Sequence, residues 1–148
     1  MEALKRLRHR LQRPVHLPVQ LDLVVKGAED AGDWPVAEGL AQETVDMMAK
    51  TGNRPMEAAA RFRLATVADL AGDPETARKE FESAAGIFAS LPPDPTVESY
   101  RADAQIHLAD LEVQTGHPHR ALARLLRIQG MVGKASEGGS VTGYFRAL

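Results

Sequence analysis

Ala71-Gly72-Asp73-Pro74-Glu75-Thr76-Ala77, in the middle of this 148-residue sequence, closes one helix and opens another. Gly72 follows an apolar helical pattern (Ala58, Phe62, Leu64, Ala65, Ala68, Leu70) at the place where a left-handed C-terminal residue is needed. Asp73 is a good N-cap, Pro74 fits the first helical position, and Glu75 suits the positive end of the helix dipole. The same pattern recurs as AGDWPVA at 31–37 and TGHPHRA at 115–121, each with Ala five residues after Gly. The intervals from Ala37 to Ala77 to Ala121 are about one helix-turn-helix unit, so the chain is expected to be all-α, an α-solenoid of about three antiparallel helical hairpins.

Working outward, Ala77, Phe81, Ala84, Ala85 and Phe88 supply the buried stripe of a helix that Leu91-Pro92-Pro93-Asp94-Pro95 ends. Thr96 followed by Glu98, or Ser99, is expected to open the next helix, which runs through Ala104, Leu108, Ala109 and Leu111 to Gly116. Val15 to Leu23 alternates apolar and polar residues, a strand signal by itself. The repeat register overrides it: Pro18 suits a helix start, Asp22 and Lys26 form an i,i+4 pair, and Leu21, Val24, Val25 and Ala28 share one face. Residues 130–148 read as a Gly-rich connector, 130–139, and a short tail whose Tyr144, Phe145 and Leu148 suit a capping half-repeat.

The central unit resembles a tetratricopeptide repeat. Leu64 and Ala65 stand where that family has its Leu-small pair, Ala68 where it usually has an aromatic, and Ala77, Phe81 and Ala84 match its second helix. The first unit fits through Leu21, Val24, Val25, Ala28, Ala37 and Ala41, and the third through Leu108, Ala109, Ala121, Leu125 and Ile128. Glu112 departs from the pattern, standing where a small or aromatic residue is expected, and the period exceeds the family's usual ~34 residues. The resemblance covers residues 17–129, and enlarged repeats of this kind are similar to those of bacterial regulators and signalling proteins.

Composition narrows the function classes. With 44% hydrophobic, 26% charged and 5% aromatic residues the chain has the balance of one soluble helical domain. There is no Cys, which excludes thiol catalysis, disulfides and cysteine zinc sites and is compatible with a cytoplasmic location. No stretch approaches the roughly 20 apolar residues of a membrane span. The net charge of −2 conceals a polarity: residues 1–16 carry five Lys/Arg and one acid, residues 120–148 five and one, leaving eight against eighteen between them.

Motifs for chemistry are few. Gly138 to Gly143 lacks the spacing of a nucleophile elbow, and Gly130-Met131-Val132-Gly133-Lys134 lacks that of a phosphate loop. His117 and His119 flank Pro118, and His107 pairs with Asp110 along a helix, but neither set converges as a metal needs. We expect no enzyme, no cofactor and no metal. Lys5, Arg6, Arg8, Arg10 and Arg13 interleave with Leu4, Leu7 and Leu11, which reads as a basic N-terminal helix over residues 1–16 packing on the first hairpin. Without aromatic residues it does not favour nucleic acid or lipid. Arg120, Arg124 and Arg127 read as a solvated face complementing a helix dipole, and Trp34 as a partner anchor or a plug over the first turn.

In tetratricopeptide proteins the inner face of each hairpin's first helix usually contacts the ligand. The resemblance carries that role to Asp22, Lys26, Glu29 and Asp30, then Phe62, Thr66 and Asp69, then Ile106, Asp110 and Gln114. Five of the six charged residues in this set are acidic, so the expected partner is a basic peptide or helical segment of another protein, bound by a non-enzymatic scaffold. The competing expectation is a ligand-sensing or regulatory module of a bacterial-type transcription or signalling regulator. A homodimer through the N-terminal helix is also expected, because Leu4, Leu7 and Leu11 need an apolar surface and the basic ends complement the acidic body.

Overall fold

A computed structural model describes residues 17–135, with side chains over 22–130. Six helices and no strand occur among the described residues: α1 Leu17–Asp30, α2 Trp34–Thr51, α3 Arg54–Leu70, α4 Pro74–Ser90, α5 Pro95–Gln114 and α6 Pro118–Ala135. The alternating stretch is helical from Leu17 onward. Each helix packs chiefly on its neighbours in sequence.

The recurring turn is one hydrogen-bonded device used three times. After α1 the Gly32 amide donates to the Glu29 carbonyl and the Asp33 amide to the Ala28 carbonyl; Gly72 and Asp73 repeat this on Asp69 and Ala68, and Gly116 and His117 on Val113 and Glu112. These are the two bonds of a Schellman closure, and they require the left-handed backbone that Gly72 adopts at φ 81°. The last residue of the closure also caps the next helix. Asp33 accepts from the Val36 amide at 3.4 Å and Asp73 from the Thr76 amide at 3.2 Å. Ala37, Ala77 and Ala121 then donate their amides to the carbonyls of Asp33, Asp73 and His117. All three alanines are buried, so only a methyl group separates the helices where the chain reverses.

The other connections differ. Gly52 closes α2 in a left-handed conformation, and Asn53 caps α3 through the Met56 amide. Between α4 and α5 the cap is Asp94, accepting from the Val97 amide at 2.8 Å, not Thr96 or Ser99 as the sequence pattern implied. Pro95 fits the first helical position, where a missing amide costs nothing.

Small residues dominate the core. One cluster joins Val25, Leu40, Val45 and Met48 to Leu64 and Val67; a second sets Ala65, Ala68, Phe81 and Ala104 against Leu108 and Leu111. A third gathers Ala58, Ala84, Ile87, Phe88 and Val97. Leu70, assigned to the buried stripe of α3, is 58% exposed at the last position of its helix. The expected connector is shorter at its start than the sequence implied, because α6 continues through Gly130 to Ala135. The basic N-terminal helix, with Leu4, Leu7 and Leu11, and the tail from Ser136 onward lie outside the described residues.

Candidate partner-binding cleft

α1 leans on α2 and leaves an opening toward α3. The result is a cleft of about 730 Å³, with walls from α1 (Asp22, Val25, Lys26, Glu29, Asp30), α2 (Ala41, Thr44, Met48) and α3 (Met56, Ala59, Ala60, Phe62, Arg63), and Tyr100 of α5 at its edge. Its floor is apolar, with Val25 and Met48 belonging to the first core cluster. Its rim is ionic.

Arg63 governs that rim. Its guanidinium bridges from α3 to α1, with Nε 2.7 Å from Asp22 Oδ1 and Nη1 2.9 Å from Glu29 Oε1. Burial opposes the arginine's charge, but the bonds to Glu29 and Asp22 outweigh it and hold the proton more tightly than usual. Two of the five acidic groups assigned to the groove are therefore already engaged by the protein's own arginine, whose single positive charge offsets one of their two negative charges. Lys26 and Asp30 remain exposed on α1.

The ten residues assigned from the sequence do not all line this cleft. Asp22, Lys26, Glu29, Asp30 and Phe62 line the cleft; Thr66, Asp69, Ile106, Asp110 and Gln114 do not. Thr66 donates its hydroxyl to the Phe62 carbonyl at 3.0 Å, and Gln114 donates to Asp110 at 2.7 Å along the outside of α5. The α3 face that borders the cleft carries Met56, Ala59, Ala60 and Arg63, adjacent to the Phe62-Thr66-Asp69 face assigned by the resemblance. Arg63, Met48, Met56 and Tyr100 went unnoticed. Spacing signalled only those on α3, where Met56, Ala59 and Arg63 recur at helical intervals.

Phe62 belongs more to the core than to the rim. Its ring meets those of Phe81 and Tyr100 edge to face at 5.4 Å each, and that of His107 at 5.8 Å. His107 stacks on Phe81 at 4.7 Å, and Tyr100 on Phe88 at 5.0 Å. His107 is thus an aromatic packing element one turn from Asp103, whose carboxyl burial pushes up while the charge of His107 draws it down. Among the described residues no group of three or more His, Asp or Glu side chains is placed to hold a metal ion.

Two ion pairs bind helices together away from the cleft. Arg61 of α3 reaches Glu80 of α4 at 3.0 Å and Glu57 at 3.6 Å on its own helix, both glutamates being buried. Arg124 of α6 donates to Glu112 at 2.9 Å and to Gln105 at 2.6 Å, both on α5. Arg124 is accordingly not part of a solvated arginine face, as the sequence implied, whereas Arg120 and Arg127 are exposed. No helix among the described residues is long and apolar enough to cross a membrane. Comparison with family models and with curated proteins finds no match.

Proposed function

We propose that the six helices are three stacked hairpins of a repeat solenoid resembling tetratricopeptide repeats, and that the chain is a non-enzymatic, cytoplasmic interaction scaffold. Its cleft takes an apolar side chain from a peptide or helical segment of a partner protein. The observation that carries this reading is the combination in one opening of an apolar floor (Val25, Met48, Met56, Phe62) with a charged rim. Asp30, exposed on that rim, together with Asp69 and Asp110 on the neighbouring first helices, favours a partner carrying positive charge near its apolar anchor.

Selection of peptides from a random display library against the intact chain tests it. Recovered peptides should pair an apolar anchor with Lys or Arg. Their affinity should fall at least ~10-fold for Ala59→Trp, which fills the cleft, and should weaken as salt rises. Peptides bound equally by Ala59→Trp would remove the cleft from the function.

The cleft's volume, about 730 Å³, also lies within the ~300–1,000 Å³ typical of small-molecule sites and favours the second reading, a ligand-sensing module of a regulator. An apolar small ligand would bind with little dependence on salt, which separates the two readings.

A further inference from the structure

A second hollow adjoins the cleft at Tyr100. It holds about 460 Å³ and is lined by Pro95, Thr96, Ser99, Tyr100 and Asp103, all on α5, and Tyr100 also stands at the edge of the cleft. Residues 96, 99, 100 and 103 recur at helical intervals and share one face of α5. Counted back from the closing glycines Gly116 and Gly72, Tyr100 and Asp103 hold the positions in α5 that Met56 and Ala59 hold in α3. Met56 and Ala59 border the cleft, so the same recurring helix face lines both hollows. The position of Arg63 is taken in α5 by His107, whose ring is stacked on Phe81.

The two hollows differ in charge. In the cleft, Lys26 and Arg63 stand among Asp22, Glu29 and Asp30, and Arg63 spans two of those acids. In the second hollow the one charged group is Asp103. It is half-buried and makes neither a hydrogen bond nor an ion pair among the described residues; only the charge of His107, one turn on, acts on it. Arg101, the only Lys or Arg of α5, lies on the opposite side of the helix and pairs with Glu98. The hydroxyls of Thr96 and Ser99 also make no hydrogen bond among the described residues. An anion is not the occupant, because Asp103 repels it and the Val97 amide in the first turn of α5 already donates to Asp94. A half-buried carboxylate without a donor carries a desolvation cost that an incoming cation offsets.

We infer that this hollow is a second subsite of the groove and takes the cationic head of a partner's Lys or Arg against Asp103, while the partner's apolar anchor occupies the cleft. The assignment rests on the reading of the cleft as a peptide site. Ammonium and guanidinium groups carry donors and no acceptor, which suits a carboxylate flanked by the Thr96 and Ser99 hydroxyl oxygens. Because the hollows meet at Tyr100, anchor and cation lie about one ring's width apart. That is two residues along an extended segment, at about 3.3 Å per residue, or three to four along a helix.

Display selection run in parallel on the intact chain, Asp103→Asn and Ala59→Trp tests the assignment. Peptides recovered on the intact chain should carry Lys or Arg two to four residues from an apolar anchor. Replacing that cation by Gln should weaken binding at least ~10-fold on the intact chain and less than ~2-fold on Asp103→Asn, the pattern of a direct pair. Asp103→Asn should melt no lower than the intact chain, since it loses an unpaired, half-buried charge. Equal losses for the Gln peptides on both chains overturn the subsite, and so does an Asp103→Asn chain that melts lower. If Ala59→Trp loses the peptides while Asp103→Asn binds them as tightly as the intact chain, the cleft stands and the subsite falls. Peptides bound equally by Ala59→Trp, or none recovered at all, remove the cleft and the subsite with it.

Discussion

Arg124 and Glu112 meet across the last turn with their side chains 19% and 12% exposed, so each carries the charge that makes the other tolerable in that setting. Glu112 Oε2 is buried and accepts no hydrogen bond, which leaves the pair's stability resting on Oε1 alone. Removing only the arginine should therefore cost more than removing both partners. We expect Arg124→Met to destabilise by about 2–3 kcal/mol in urea denaturation and the double variant with Glu112→Leu by much less. Equal losses in the two variants would show that the pair acts through packing and not through charge.

Gly72 and Gly86 should respond in opposite directions to the same substitution. Gly72 sits at φ 81° in the recurring turn, and Gly72→Ala places a Cβ in the left-handed region at a cost of about 1–2 kcal/mol. Gly86 lies within α4, exposed, with nothing within 4 Å of an added methyl group. Gly86→Ala should stabilise by about 0.5–1 kcal/mol through helix propensity and a less disordered unfolded chain. Thermal melts of the two variants check both signs.

Glu38 on α2 and Asp73 at the turn before α4 form a carboxyl pair with opposed titrations. Burial, and then the hydrogen bond to Asp73 and its charge, hold the Glu38 carboxyl above the usual glutamate range. Bonds from the Thr76 hydroxyl and amide hold Asp73 below its usual range. The raised group supports the fold while protonated, and that support is lost as pH rises through its folded pKa; the lowered group supports the fold when ionised, and that is lost as pH falls through its folded pKa. Glu38→Gln should thus raise stability at neutral pH and flatten the stability profile in the window opening at the ordinary glutamate pKa and extending above it. Melting temperatures across pH 4–7 that decline equally in wild type and variant would exclude this pair as the cause.

Arg63 ties α1 to α3 at the mouth of the cleft. Arg63→Met should raise amide exchange throughout residues 22–30 while costing only about 1 kcal/mol globally, because Asp22 is largely solvated. Arg63→Lys should not restore protection, since an ammonium cannot hold both carboxylates in the fork that reaches Asp22 and Glu29. Hydrogen exchange by mass spectrometry reads both.

Phe62→Ala is expected to destabilise by about 3 kcal/mol, consistent with a ring in contact with Phe81, Tyr100 and His107. Were the ring only a rim contact, chemical denaturation would show almost no change.

The helices and their turns were legible because each rests on local chemistry. Gly followed by a capping residue, Pro in the first helical turn and a buried Ala next specify a turn wherever they occur, and the neighbours need not be known. The departure at Glu112 was legible as a departure, but its resolution was not: Arg124 lies twelve residues away in sequence, and only the angle between α5 and α6 brings them together. The cleft failed to appear for the same reason. Which side of α3 borders α1 depends on how α1 packs against α2, and a resemblance transfers a face of a helix without the rotation that sets it. Asp22 and Glu29 were visible as charges, not as the two arms of Arg63.

The economy of the turns has a consequence for how the molecule assembles. Three residues suffice to end one helix and begin the next in each recurring turn, and Arg63 reaches back only 41 residues to find Asp22. Little chain entropy is spent bringing partners together, so folding should be fast and able to begin within any one hairpin, spreading to its neighbours. Under denaturant the same arrangement should come apart from its termini inward, with α3 and α4 the last to open.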